Sequence, residues 1–230
     1  MRRRIFLSAT LLTLPRAATR VRAVPAQVVV LELFTSQGCS SCPPAEAFLG
    51  ELVRQPGIIG LAWHVDYWNS LGWTDPYARH AWTDRQKAYA EHLGSEVFTP
   101  ALVVNGSAML VGSDRDAVRR AIGEATQPPL AATLRRTATG SEAEIDTPTG
   151  SLTGLLVTYD SEVATQVGAG ENQGRRLVEY RVVRDVVRLA GLAPRLTLPP
   201  IPENRGAVLL VQDTAWHVVG AAELAPAQGA

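Results

Sequence analysis

The only two cysteines of this 230-residue chain stand three positions apart, in Cys39-Ser40-Ser41-Cys42. A C-x-x-C pair can exchange a disulfide, hold zinc, hold copper(I), or simply staple the chain. A bridge across two residues closes a very short loop and removes little unfolded-chain entropy, so stapling is a weak reason for it. Structural zinc needs more ligands than this chain groups together, since there are four histidines and no second C-x-x-C. Copper(I) suits thiolates, and Cys39, Cys42 and His64 would be the set. The only methionines are Met1 and Met109, so no methionine-rich tract backs that reading. Disulfide exchange is the chemistry best matched to the pair. Cys39 then attacks and Cys42 resolves.

That chemistry needs a strand delivering a thiol to a helix start, where unpaired N–H groups and the helix dipole favour thiolate. The flanking sequence supplies both elements. Val28 to Phe34 is a β-branched apolar run of the kind buried on both faces. Thr35-Ser36-Gln37-Gly38 is turn chemistry, and Pro43-Pro44 fits a first helical turn. Ala45 to Val53 has helical spacing, with Ala45, Leu49, Leu52 and Val53 on one face, and Gln55-Pro56-Gly57 stops it. Ile58 to Val65 is a second buried strand, so the two strands are expected to be parallel in an α/β domain.

Residues 79–93 read as an amphipathic helix ending at Gly94. Val97 to Asn105-Gly106 reads as a strand entering a hairpin that returns through Ala108 to Val111. Asp114 can cap a last helix with Val118, Ala121 and Ile122 as its stripe.

Residues 63–82 hold four of the five tryptophans, with His64, Asp66 and Tyr67 among them. Strand alternation puts His64 and Asp66 on one face, where they could pair. They are either acid–base helpers near the disulfide or satisfied polar residues under an aromatic loop. Trp68 and its neighbours suggest core or an apolar peptide-binding wall. His80, His92 and His217 are isolated and read as structural.

Gln127-Pro128-Pro129 reads as a linker. Beyond it come short strands at 131–138, 152–159, 177–187, 207–211 and 216–221, punctuated by glycine, proline and asparagine, which suggest a small mostly-β, sandwich-like domain at 130–225. Gly168 to Gly174 is glycine-rich but lacks the lysine and spacing of a phosphate loop. It reads as a hairpin loop able to reach the cysteines.

The first 23 residues hold six arginines and no acid, so the rest carries 16 basic against 22 acidic residues, a net of −6. That balance excludes an electrostatic footprint for nucleic acid. Arg2-Arg3-Arg4, the apolar Ile5 to Leu14 and Val21-Arg22-Ala23 read as a signal peptide at 1–23, of Sec or twin-arginine type. No apolar run long enough to span a membrane follows it. The expected location is periplasmic or secreted.

The order of elements resembles that of thioredoxins, in which the proline matching Pro100, after Thr99, is cis and packs against the disulfide. The chain is more closely similar to a bacterial family of secreted thioredoxin-like proteins catalogued as domain of unknown function 1223. That resemblance rests on Glu32 to Pro44, His64-Val65-Asp66-Tyr67-Trp68, Leu71-Gly72-Trp73, Asp75-Pro76, Arg85-Gln86, Tyr89-Ala90, Thr99-Pro100, and Gly170-Glu171-Asn172 with Gly174-Arg175. It implies an α/β thioredoxin-like domain at 27–126, with a mixed central sheet flanked by helices and an aromatic-rich insert at 66–93.

Thioredoxins carry a buried acid six residues before the first cysteine. Here that position is Leu33, and Glu32 lies one residue earlier, on the opposite strand face. Glu32, Gln37, Ser40, Ser41, His64, Asp66, Trp68 and Thr99 are the expected neighbours of Cys39, Cys42 and Pro100. The expected function is an exported thiol–disulfide oxidoreductase with no cofactor, acting on protein thiols or disulfides and recharged by a membrane reductase or oxidase. Its rival is a binding or copper(I)-handling protein that keeps the same scaffold without redox turnover.

Overall fold

The computed structural model describes residues 28–227, and the expected leader at 1–23 lies outside them. Strand β1, Val29–Thr35, is buried along its whole length, as its β-branched run requires. Helix α1, Pro43–Leu52, begins on two prolines whose missing N–H groups have no helical partner to lose. It returns the chain to β2, Ile58–His64, which runs parallel to β1 with Val29 opposite Ile58 and Thr35 opposite His64. Helix α2, His80–Leu93, stops at Gly94, whose φ of 61° gives the left-handed cap. Strands β3, Ala101–Val104, and β4, Ala108–Val111, form the expected hairpin. Asn105 and Gly106 both have positive φ there, as a tight primed turn demands. Helix α3, Arg115–Glu124, is capped by Asp114, which accepts from the Ala117 N–H at 3.0 Å.

The second half departs from the expected separate sandwich. Strands β7, Thr153–Gln166, β8, Arg176–Arg188, β10, Gly206–Gln212, and β11, Val218–Leu224, continue the same sheet. Its order is β11-β10-β7-β8-β2-β1-β3-β4. β8 meets β2 in parallel at Ala62 opposite Val182. The physical reason lies in β2, which is buried throughout and would otherwise present an apolar, unpaired edge. Only β5, Ala132–Thr137, β6, Gly140–Ile145, and β9, Arg195–Leu198, form a second, three-stranded sheet. The result is a mixed α/β molecule with one large mixed sheet and three α-helices among the described residues.

Each face of the sheet's first half has its own core. Leu31, Leu33 and Ala62 pack under α1 with Phe48 and Leu49. Val30, Phe34 and Trp63 pack on the other face with Trp82 and Tyr89 of α2. Gly50 lets α1 approach β8, because a Cβ there would stand 2.4 Å from the Tyr180 ring.

Candidate active site

The chain leaves β1 through a tight turn before entering α1. The Cys39 N–H donates to the Ser36 carbonyl at 3.1 Å, and the Cys42 N–H donates to the Cys39 carbonyl at 3.2 Å. Cys42, not Cys39, is therefore the residue that caps α1. Cys39 stands one turn ahead of the helix, which corrects the expectation that it begins there. The two cysteines form a disulfide with Cα atoms 5.5 Å apart. Both are 0% exposed, while Ser40 and Ser41 between them face solvent. The Ser41 hydroxyl lies 3.3 Å from Cys39 Sγ.

Gln37 ties this turn to the rest of the molecule. Its N–H donates to Asp75 Oδ2 at 2.8 Å, and its side-chain amide donates to Glu179 Oε2 at 2.6 Å and Thr165 Oγ1 at 2.9 Å. Its Oε1 accepts from the Trp73 indole at 3.0 Å. The Asn172 amide donates to the carbonyls of both Gln37 and Cys39, at 2.9 and 3.0 Å. Glu171 accepts from the Ser40 N–H at 3.0 Å, and the Ser40 side chain, then that N–H, hold its carboxyl below the usual range. The glycine-rich segment thus lies against the cysteine turn, as its position in the sequence suggested. It also packs on Trp73, since a Cβ at Gly168 or Gly170 would sit 3.1 or 3.2 Å from that side chain.

On the α1 face of the sheet, a group of buried titratable side chains adjoins the turn. Thr35 donates its hydroxyl to Glu46 Oε1, and Glu46 belongs to the first turn of α1. His64 Nδ1 lies 2.7 Å from Asp75 Oδ2, and His64 Nε2 lies 3.9 Å from Glu179 Oε1. Glu46 Oε2, His64 Nε2 and Glu179 Oε1 are buried without a hydrogen-bond partner. Burial, then the nearby Glu179 charge, pushes the Glu46 carboxyl up to about 8. Glu179 is likewise raised, mainly by burial. Burial alone would lower His64, yet Asp75 outweighs it and raises the imidazole to about 9. Asp75 is lowered despite burial because it faces that imidazolium. At neutral pH the group holds a protonated Glu46 beside a His64–Asp75 ion pair.

Other expected neighbours are placed differently. Asp66 does not pair with His64; its partners are His80 Nδ1 at 3.0 Å and the Thr83 hydroxyl at 2.6 Å. The chain turns away after β2, so strand alternation no longer relates residues 64 and 66. Glu32 projects to the α2 face, where Arg85 donates to it at 2.7 and 2.9 Å and the Tyr89 hydroxyl also donates to it. It belongs to a structural network and not to the cysteine site. The Trp68 indole donates to the Thr99 hydroxyl at 2.8 Å, and the Thr99–Pro100 peptide is cis. Ala101 lies opposite Phe34, which sets buried Pro100 level with Thr35, where β1 ends.

Glu46, Asp75 and Glu179 escaped the sequence reading, and Glu171 and Asn172 were reached only as part of the glycine-rich loop. Glu46 did carry a signal, because it shares helical spacing with Leu49, Gly50 and Val53 on the buried side. Glu179 alternates with Leu177 on the inward side of β8, a charge on an apolar face.

Among the described residues no group of three His, Cys, Asp or Glu is placed to hold a metal ion. No helix among them is long and apolar enough to cross a membrane.

No curated protein matches the chain significantly. Two solved structures are similar to it. A crystal structure of a structural-genomics target from Agrobacterium tumefaciens is 28% identical, covers 90% of this chain and 98% of its own, and superposes with a TM-score of 0.77. HBP35 of Porphyromonas gingivalis is 14% identical, covers 89% of this chain and 78% of its own, with a TM-score of 0.50, a likeness of fold alone. The family model described as protein of unknown function (DUF1223) matches residues 30–212, and the chain belongs to that family.

Proposed function

We propose that this chain is an exported thiol–disulfide oxidoreductase with a thioredoxin-like site. One observation carries the reading: a Cys39–Cys42 disulfide at the start of α1, level with cis Pro100, adjoins a buried acid that holds its proton at neutral pH. In the oxidised form a substrate thiolate attacks Cys39 Sγ and the Cys39–Cys42 bond breaks. Cys42 leaves as thiolate, and Glu46, whose N–H bonds the Cys42 carbonyl, supplies a proton to it through the buried group. A second substrate thiolate attacks the mixed disulfide and releases Cys39 as thiolate. The substrate has then lost two electrons to the protein. The reverse sequence reduces a substrate disulfide.

Replacement Cys42→Ser removes the resolving thiol. Expression of this variant in the native host is expected to accumulate dithiothreitol-sensitive adducts through Cys39 on non-reducing gels. Absence of adducts dependent on Cys39, in a variant that is folded and exported, overturns the proposal.

The burial of both sulfurs supports a second reading, a binding scaffold with an incidental disulfide. That reading expects the Cys39→Ala/Cys42→Ala double variant to complement a deletion strain fully.

A further inference from the structure

A cavity of about 540 Å³ opens at the carboxyl ends of β2, β8 and β10. Its indoles are those of Trp63, Trp82 and Trp216, with Leu155 and Val186 beside them. Trp63 faces the α2 side of the sheet, whereas the next residue, His64, faces Glu46 and the cysteine turn. The cavity is therefore separate from the proposed redox site. Carboxyl strand ends of open α/β sheets are where ligands characteristically bind, and the volume suits a small organic molecule.

The lining is not merely apolar. The indole N–H groups of Trp63 and Trp82 are both buried without a partner, in residues 0% and 7% exposed. The two rings stand edge to face, 5.0 Å apart at 72°. In that geometry only one ring can turn its edge to the other's π face, so only one N–H can be met by the partner ring. The other is left as a buried donor, at a cost of about 1–3 kcal/mol.

Charge narrows the class of acceptor. The Arg85 guanidinium lies 5.0 Å from the Trp63 ring and 5.3 Å from the Trp216 ring, but Glu32 already balances it. Asp213 is turned into its own loop, accepting from the Ala215 and His217 N–H groups at 2.9 Å each. Arg188, exposed at the rim, donates to the Thr153 hydroxyl at 3.1 Å and has no carboxylate partner among the described residues. Among the charged residues of the lining, Arg188 is the cation without a carboxylate partner, while the second oxygen of Asp213 lies 3.2 Å from His217 Nδ1.

We propose that this cavity binds a planar aromatic carboxylate, its ring beside the indoles, its carboxylate paired with the Arg188 guanidinium. Calorimetric titration of the full chain with 2-naphthoate tests this, with uncharged 2-naphthamide as the matched probe. Saturable one-to-one binding is expected for 2-naphthoate, at least tenfold tighter than for 2-naphthamide. Arg188→Gln should erase that preference. Ala81→Phe, on an exposed position of the rim, should weaken 2-naphthoate at least tenfold with the thermal midpoint unchanged. If Ala81→Phe does not fold, Thr214→Phe on the opposite rim makes the same test. Absence of saturable binding, equal affinity for the two probes, or undiminished binding in the folded rim variant each overturns the assignment.

Discussion

Glu32 and Glu46 are both buried carboxylates beside β1, one on each face of the sheet, and they are kept in opposite ways. Glu32 receives two donors from Arg85 and one from Tyr89, and Gln212 accepts from Arg85 while donating to Tyr89. A buried carboxylate matched in place by a cation, with its hydrogen bonds filled, serves architecture. Glu46 has the Thr35 hydroxyl on one oxygen and nothing on the other, with Glu179 as a like-charged neighbour. An acid left without its own cation keeps a proton near neutral pH and can give it up. Burial alone thus does not mark a carboxylate as structural or chemical; the presence of a dedicated cation does.

Breaking the structural side should have the largest effect. Arg85→Leu strands the Glu32 charge, and urea unfolding should show a loss of about 3–5 kcal/mol. A loss under about 1 kcal/mol would mean that Glu32 does not depend on its cation, and the contrast would collapse.

Asn172→Ala comes next. It leaves the Gln37 and Cys39 carbonyls without their side-chain donor, which should cost about 1–3 kcal/mol. If about 1.4 kcal/mol of that loss falls on the closed cover, reduction of the disulfide by dithiothreitol should quicken about tenfold. An unchanged reduction rate would separate the glycine-rich loop from access to the sulfurs.

Glu46→Gln sharpens the other side through pH. The carboxyl titrates near 4.5 in the unfolded chain and about 8 in the folded one, so between those values the folded state holds more protons. Stability therefore falls as pH rises through that window, by about 1.4 kcal/mol per pH unit for this group. Unfolding free energies from pH 5 to 8 should lose that slope in the variant. His64, raised from 6.5 to about 9, also favours the folded state most below 6.5, and its decline between 6.5 and 9 should persist. An unaltered slope would show that Glu46 is not the proton-holding group.

The smallest effect is expected from Glu171→Gln. Its carboxylate sits on the N–H of Ser40, the residue after Cys39, so neutralising it should lower the Cys39 thiol pKa by less than about one unit. The pH profile of iodoacetamide alkylation in the reduced protein measures this; a rise in pKa would contradict the placement.

Local features were legible in the sequence because local chemistry determines them. The β-branched run of β1, the prolines opening α1, the Gly94 stop, the Asn105-Gly106 turn and the Asp114 cap all carry their cause within a few residues. The joining of β8 to β2 does not, since parallel strands far apart in sequence share no turn that fixes their pairing. The site suffers from the same limit. Gln37 meets Glu179 and Asn172 across more than a hundred residues, and no spacing rule relates them. Strand periodicity carried past the end of β2 points to Asp66 as a partner of His64 and has no means of pointing to Asp75.

The two halves of the chain touch in the large sheet through one parallel junction, Ala62 beside Val182, yet the cysteine turn draws its contacts from both. Cys39 and Gln37 come from the first half, Asn172 and Glu179 from the second. A shortened protein ending near Gln127 would retain the C-x-x-C and lose both its cover and Glu179 of the buried titratable group. A thiol pair of that kind would meet solvent as a bare reagent. In this chain the cover of the disulfide therefore comes from the second half, and the two halves are not freely interchangeable parts.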